Sequence, residues 1–134
     1  GPFSLQGEGV FADVGGSSGV DDNDYYSAYA QASYFLTGEH RPYSKGAFGR
    51  VKPNENFSLK DRQWGAWEVA ARYSWLELDD SIEGGQLDDI ALGLNWYLNP
   101  NMRILWNYVH SEADDTPTGI DDADVFLMRF QIDF

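Results

Sequence analysis

A chain of 134 residues with 22 acidic against nine basic side chains carries a formal charge of −13, and its mean hydropathy of −0.47 is that of a soluble acidic protein. Its longest unbroken apolar run is the four residues Val125 to Met128, far short of the ~20 that a helix needs to cross a bilayer, and the negative charge disfavours nucleic acid as a partner. Cysteine is absent, so neither disulfides nor thiolate metal sites hold the chain together.

Gly1 and Pro2 lead directly into an expected strand over 3–12, so any targeting segment is expected to lie outside this chain. In that strand Ser4, Gln6 and Glu8 alternate with Phe3, Leu5 and Phe11, while Gly7 and Gly9 weaken its middle. The second strand, 26–36, sets Tyr26, Ala28, Ala30, Ala32, Tyr34 and Leu36 against Ser27, Tyr29, Gln31 and Ser33. A long connection from Gly38 to Gln63 follows. It holds Arg41, Lys45, Arg50, Lys52, Lys60 and Arg62, which are six of the nine basic residues.

The third strand, 64–78, has the clearest alternation. Trp67, Val69, Ala71, Tyr73 and Trp75 share one side, and Glu68, Ala70, Arg72 and Ser74 the other. The fourth, 89–98, continues with Ile90, Leu92, Leu94, Trp96 and Leu98 against Ala91, Gly93, Asn95 and Tyr97. Asn99-Pro100-Asn101 makes a tight turn, because Pro fixes φ and Asn tolerates turn geometry. The fifth strand, 102–111, places Ile104, Trp106 and Tyr108 opposite Arg103, Asn107 and Ser111, with Leu105 and Val109 blurring the pattern. The last, 124–134, alternates Phe126, Met128, Phe130, Ile132 and Phe134 with Val125, Leu127, Arg129, Gln131 and Asp133. No convincing helix-period segment and no internal repeat beyond the hairpin is present.

Alternating segments rich in aromatic residues (16% of the chain) and bounded by Gly, Asp and Asn suit two all-β architectures. One is a soluble sandwich or small barrel whose aromatic face is a core. The other is a transmembrane antiparallel up-and-down β-barrel, which usually closes its chain on a strand ending in an aromatic residue such as Phe134. Charge distinguishes them. In an up-and-down order the first, third and fifth connections share one end, and with their flanks they hold sixteen of the 22 acids, including Asp21, Asp22, Asp24, Asp80, Glu83, Asp115, Asp121 and Asp122, with no Lys or Arg among them. The basic connection lies at the other end. A sandwich has no reason to sort its loops so, whereas a barrel crossing a membrane has two chemically different ends. With Phe134 at the periplasmic rim, the acidic loops face outside the cell.

Four stretches carry a resemblance over nearly the whole chain. They are Thr37-Gly38-Glu39-His40-Arg41-Pro42-Tyr43, then 46–53 (Gly-Ala-Phe-Gly-Arg-Val-Lys-Pro), 65–74 (Gly-Ala-Trp-Glu-Val-Ala-Ala-Arg-Tyr-Ser) and 92–101 (Leu-Gly-Leu-Asn-Trp-Tyr-Leu-Asn-Pro-Asn). In order and spacing they resemble the C-terminal part of the phosphate-selective porins O and P. The resemblance implies a sixteen-stranded, homotrimeric outer-membrane barrel that passes phosphate, pyrophosphate or polyphosphate through a lumen lined by Arg and Lys. Six strands cannot close such a barrel and would leave two edges unpaired in lipid. The chain is therefore expected to be the C-terminal segment of a longer one, the alternative being several copies joined edge to edge, and to associate with outer-membrane lipid and lipopolysaccharide.

Phosphate entering a pore must shed water, and guanidinium forks replace that hydration with charge-assisted hydrogen bonds. Arg72, Arg103 and Arg129 fall on the inward phase of three strands and are the expected lumen charges; the competing expectation pairs each with a wall carboxylate such as Glu68 or Asp133. Arg41, Lys45, Arg50 and Lys52 form either a basic exit folded into the lower lumen or a solvated surface segment. His40 and His110 lack ligand-spaced companions. Asp21-Asp22-Asn23-Asp24 and Asp121-Asp122-Ala123-Asp124 lack the Gly and distal Glu of an EF-hand loop, which leaves them as solvated acid or as divalent bridges to lipopolysaccharide phosphates. The acidic mouth runs against anion entry at low salt. No nucleophile elbow, zinc-protease helix or phosphate loop appears, so neither an enzyme nor a cofactor is expected. The alternative function is that of an acidic β-domain, soluble or surface-displayed, binding partners or divalent cations through its loops.

Overall fold

The computed structural model describes residues 1–14, 23–44, 47–79, 85–114 and 122–134. Lys45 and the acids Asp21, Asp22, Asp80, Glu83, Asp115 and Asp121 lie outside the described residues.

Strands β1 (Phe3–Val14), β2 (Asn23–Phe35), β5 (Ala66–Asp79), β6 (Gly85–Asn99), β7 (Met102–Asp114) and β8 (Asp122–Ile132) form one six-stranded sheet, and β3 (Tyr43–Ser44) pairs with β4 (Ala47–Phe48) as a small separate hairpin. Every neighbour in the order β1-β2-β5-β6-β7-β8 is antiparallel, the order of an up-and-down meander. The strand ends Val14, Asn23, Asp79, Gly85, Asp114 and Asp122 share one end of the sheet. Phe35, Ala66, Asn99, Met102 and Ile132 share the other. Among the described residues no pairing joins β1 to β8, so both edges are open.

Several strands run further than hydropathy suggests, mostly toward the acidic end. β1 continues to Val14, β6 begins at Gly85 instead of 89, and β7 continues to Asp114. Carboxylates interrupt an apolar pattern without interrupting the backbone ladder, because their main-chain N–H and C=O groups pair like any others. β5 starts two residues later than expected, at Ala66, because Gly65 sits at φ 68°. A Cβ there would lie 2.3 Å from the Tyr97 carbonyl oxygen, so only glycine allows the chain to turn into the strand so close to β6.

Register fixes the two faces. Rows such as Trp67–Trp96–Ile104–Phe130 and Tyr34–Val69–Leu94–Trp106–Met128 lie on one side, and Gln31–Arg72–Ala91–Val109–Val125 and Glu68–Asn95–Leu105–Arg129 on the other. From Trp67 to Trp75 the first face bears no charged side chain on β5, and the matching stretches of β6, β7 and β8 are likewise uncharged from Ile90 to Leu98, Met102 to Tyr108 and Phe126 to Ile132 on that phase. At ~3.4 Å per residue this is roughly 27 Å of strand. Leu5, Phe126 and Met128 on that face are 68%, 69% and 63% exposed. No second layer of the described residues covers it, which is not how a sandwich would be built. Leu105 and Val109 belong to the polar face, which explains why they blurred the alternation.

Trp67, Trp96 and Trp106 stack with centroids 4.9 and 6.4 Å apart, and Phe57 meets Trp96 edge-on at 5.1 Å. This aromatic cluster marks the basic end of the apolar face. At the acidic end the Tyr108 hydroxyl donates to Asp124 at 2.7 Å, and that of Tyr73 donates to Asp88. Aromatic residues at both margins of an uncharged band are the pattern of interfacial girdles.

Candidate functional site

The connection after β2 does not trail into solvent; its first half folds back over the polar face. Gly38, at φ 87°, reverses the chain, and the Thr37 hydroxyl accepts the Trp67 N–H at 3.0 Å while donating to Glu39. Glu39 is buried and also accepts the Asn54 N–H at 3.1 Å. Val51 comes down on Phe35, Ala66 and Tyr97 to make a small core between segment and sheet. Removing a side chain such as Phe35 from water is worth on the order of 2 kcal/mol, enough to favour docking of a segment that otherwise carries many charges.

Glu68 is the polar centre of that contact. Its side chain has no solvent exposure. Arg41 donates from Nε and Nη2, both at 2.8 Å, to its two oxygens. Asn95 Nδ2 at 3.0 Å and the Tyr97 hydroxyl at 2.8 Å donate to Oε2. A buried carboxylate persists only when its charge and lone pairs are met in this way, and the forked guanidinium meets two of them at once. Glu68 therefore ties the connection to the wall through Arg41.

Beside this contact lies a cavity of about 270 Å³ lined by Arg41, Arg50, Arg103 and Asp133, with Tyr97 and the Asn99–Asn101 turn completing it. Arg50 comes from the folded-back segment and donates to Asn101 Oδ1 at 3.0 Å. Arg103 comes from the start of β7. Its Nε and Nη2 both donate to Gln131 Oε1, at 3.1 and 2.9 Å, and its guanidinium carbon is 5.9 Å from the centre of the Tyr97 ring. Gln131 Nε2 in turn donates to Asp133 Oδ1 at 2.9 Å.

Of the residues singled out from the sequence, Arg41, Arg50 and Arg103 thus converge. Arg72 is on the same face but further along, its guanidinium carbon 4.4 Å from the centre of the Tyr29 ring, a cation–π contact. The Tyr29 hydroxyl accepts from Gln6 at 2.9 Å and donates to Glu8 at 3.2 Å. Arg129 is exposed on the same face of β8 and does not line the cavity, and Lys52 is exposed beside Val51. Lys45 is outside the described residues. Glu68 engages Arg41 and not Arg72, and Asp133 takes the amide of Gln131 and not an arginine.

Sequence reasoning missed the roles of Asn95, Tyr97 and Gln131. All three sit on the inward phase of strands whose other phase is apolar, and that was the available signal. His110, expected from the sequence to lack ligand-spaced companions, lies on the opposite face with Nδ1 2.8 Å from Asp124 and Nε2 3.2 Å from Glu112.

Comparison with known proteins is in keeping with this geometry. A family model described as phosphate-selective porin O and P matches residues 1–134. Porin O of Pseudomonas aeruginosa is 36% identical over 153 aligned positions, which take in all of this chain and 33% of that protein. An uncharacterized protein of Caulobacter vibrioides is 34% identical over 85 positions, covering 63% of this chain and 17% of its own length. The chain spans about a third of Porin O.

Proposed function

Because the chain belongs to the phosphate-selective porin O and P family, we propose that its six strands are a section of the wall of a sixteen-stranded outer-membrane barrel that passes small anions, phosphate among them, by passive diffusion. The family is one of outer-membrane channels and not of enzymes. In this reading the uncharged face meets lipid, the arginine-bearing face lines the lumen, and strands beyond this chain pair with the open edges of β1 and β8. Three such units form a trimer, and the outer ends of the strands border lipopolysaccharide.

The observation that carries the reading is the cavity lined by Arg41, Arg50 and Arg103 on the face opposite an uncharged band. Guanidinium groups that share one recess reinforce each other's attraction for an oxyanion, and of these three Arg50 and Arg103 have no carboxylate partner among the described residues. Arg72 and Arg129 extend positive charge along the same face. The carboxylates at the other end slow anion entry at low ionic strength, an effect that decays over a Debye length of about 8 Å at physiological salt.

The test is the reversal potential of the complete porin in planar bilayers under a salt gradient, with phosphate and chloride compared. Anion selectivity, together with heat-modifiable migration in detergent, supports the reading. Cation selectivity leaves the barrel standing and removes the anion assignment.

A further inference from the structure

Arg41 and Arg103 line one cavity and end on different acceptors: a carboxylate for Arg41, a neutral amide for Arg103. We propose that Gln131 is a specificity-determining positioning residue that aims the Arg103 guanidinium while keeping it apart from Asp133, so that its charge stays available to a phosphate in the cavity. The proposal rests on the reading of this face as an anion path.

Geometry makes the amide a spacer. Gln131 Oε1 takes two of the five N–H groups of Arg103, which leaves three, enough for a forked contact with phosphate oxygens. The other end of the same amide donates to Asp133 Oδ1. Asp133 lies on the same face and lines the same cavity. Among the described residues neither Arg103 nor Arg50 has a carboxylate oxygen within 4.0 Å, whereas Arg41 does. A carboxylate at position 131 would instead form the bidentate pair that Glu68 forms with Arg41, and the guanidinium would no longer compete for a permeating anion. An apolar side chain there would leave Arg103 and Asp133 with no group between them. Stacking over Tyr97 limits how far the guanidinium can swing otherwise.

The experiment uses the complete porin in planar bilayers carrying chloride current, with inorganic phosphate titrated until the current is half blocked. Each variant is compared with the unaltered porin at the same pH. Q131L is expected to raise the half-blocking concentration about tenfold, about 1.4 kcal/mol, as Arg103 closes onto Asp133. Adding D133N to Q131L is expected to restore block to within about twofold. Q131E is expected to weaken block at least tenfold at pH 7 and to recover only as the pH falls below the ordinary glutamate range (about 4.3), because pairing with Arg103 favours the ionised carboxylate. A purely structural role would show neither the rescue nor the recovery. Block in Q131L/D133N as weak as in Q131L, or a Q131E channel that matches the parent at pH 7, overturns the proposal. An unaltered porin that phosphate does not block overturns the anion path and the proposal together, an outcome distinct from either.

Discussion

Two arginines 62 positions apart in the sequence show how one cation type does opposite work on one face of a sheet. Around Arg41 the wall supplies a buried carboxylate that takes two of its N–H groups, and an amide and a phenol complete the shell of that carboxylate. Around Arg103 it supplies one amide oxygen and an aromatic ring. The first arrangement fastens a segment in place at the expense of the charge. The second holds a side chain in position and leaves its charge uncompensated. Counting arginines on the face therefore overstates the field offered to an anion, and the acceptor that each one meets is the better guide.

The two arginines differ most at Glu68. In the complete porin E68A should leave Arg41 without its carboxylate and Asn95 and Tyr97 without their acceptor, a loss on the order of 3 kcal/mol. The expected result is undocking of the 38–51 segment, read as new protease cleavage there in detergent and a lower temperature of heat-modified migration. Unchanged protection would show that the Phe35–Val51–Tyr97 core suffices alone. G65A is next in size, since the left-handed φ and a Cβ 2.3 Å from the Tyr97 carbonyl together cost about 1–3 kcal/mol; a thermal transition equal to the parent's would count against that geometry. The exchange E68Q/Q131E keeps the formal charge constant and moves the carboxylate from one arginine to the other. It should weaken both segment protection and phosphate block, and a variant that loses only one of them would show that the two sites do not divide the work as described. R50Q should do least, raising the half-blocking phosphate concentration about two- to fivefold with protection intact, because Arg50 is exposed and bonds a neutral amide oxygen of the turn.

Much of the sheet was legible in the chain itself. β5 announces itself through Trp67, Val69, Ala71, Tyr73 and Trp75 against Glu68, Ala70, Arg72 and Ser74, because a two-residue period with one greasy phase has few alternatives. Strand ends were less legible where Asp88, Asp89, Glu112 and Asp114 break the hydropathy but not the ladder. The β3–β4 hairpin carries no readable alternation, being two residues a side. At the site, the shared face of Arg72, Arg103 and Arg129 follows from phase alone. The Arg41–Glu68 contact does not, since it joins a loop to a strand 27 residues away, beside a core in which Phe35 and Val51 are buried together. Nor could phase tell that Gln131 faces Arg103 directly across the β7–β8 pair, because that needs the register.

The parallel indoles of Trp67, Trp96 and Trp106, contributed by β5, β6 and β7, give the molecule a spectroscopic signature of its own. Rings this close and this well aligned couple their electronic transitions, so circular dichroism in the aromatic region reports whether three consecutive strands have met in register. A slip of one residue in either pairing would send an indole to the opposite face and extinguish the coupling. Assembly of β5, β6 and β7 in detergent or lipid can therefore be followed without a label.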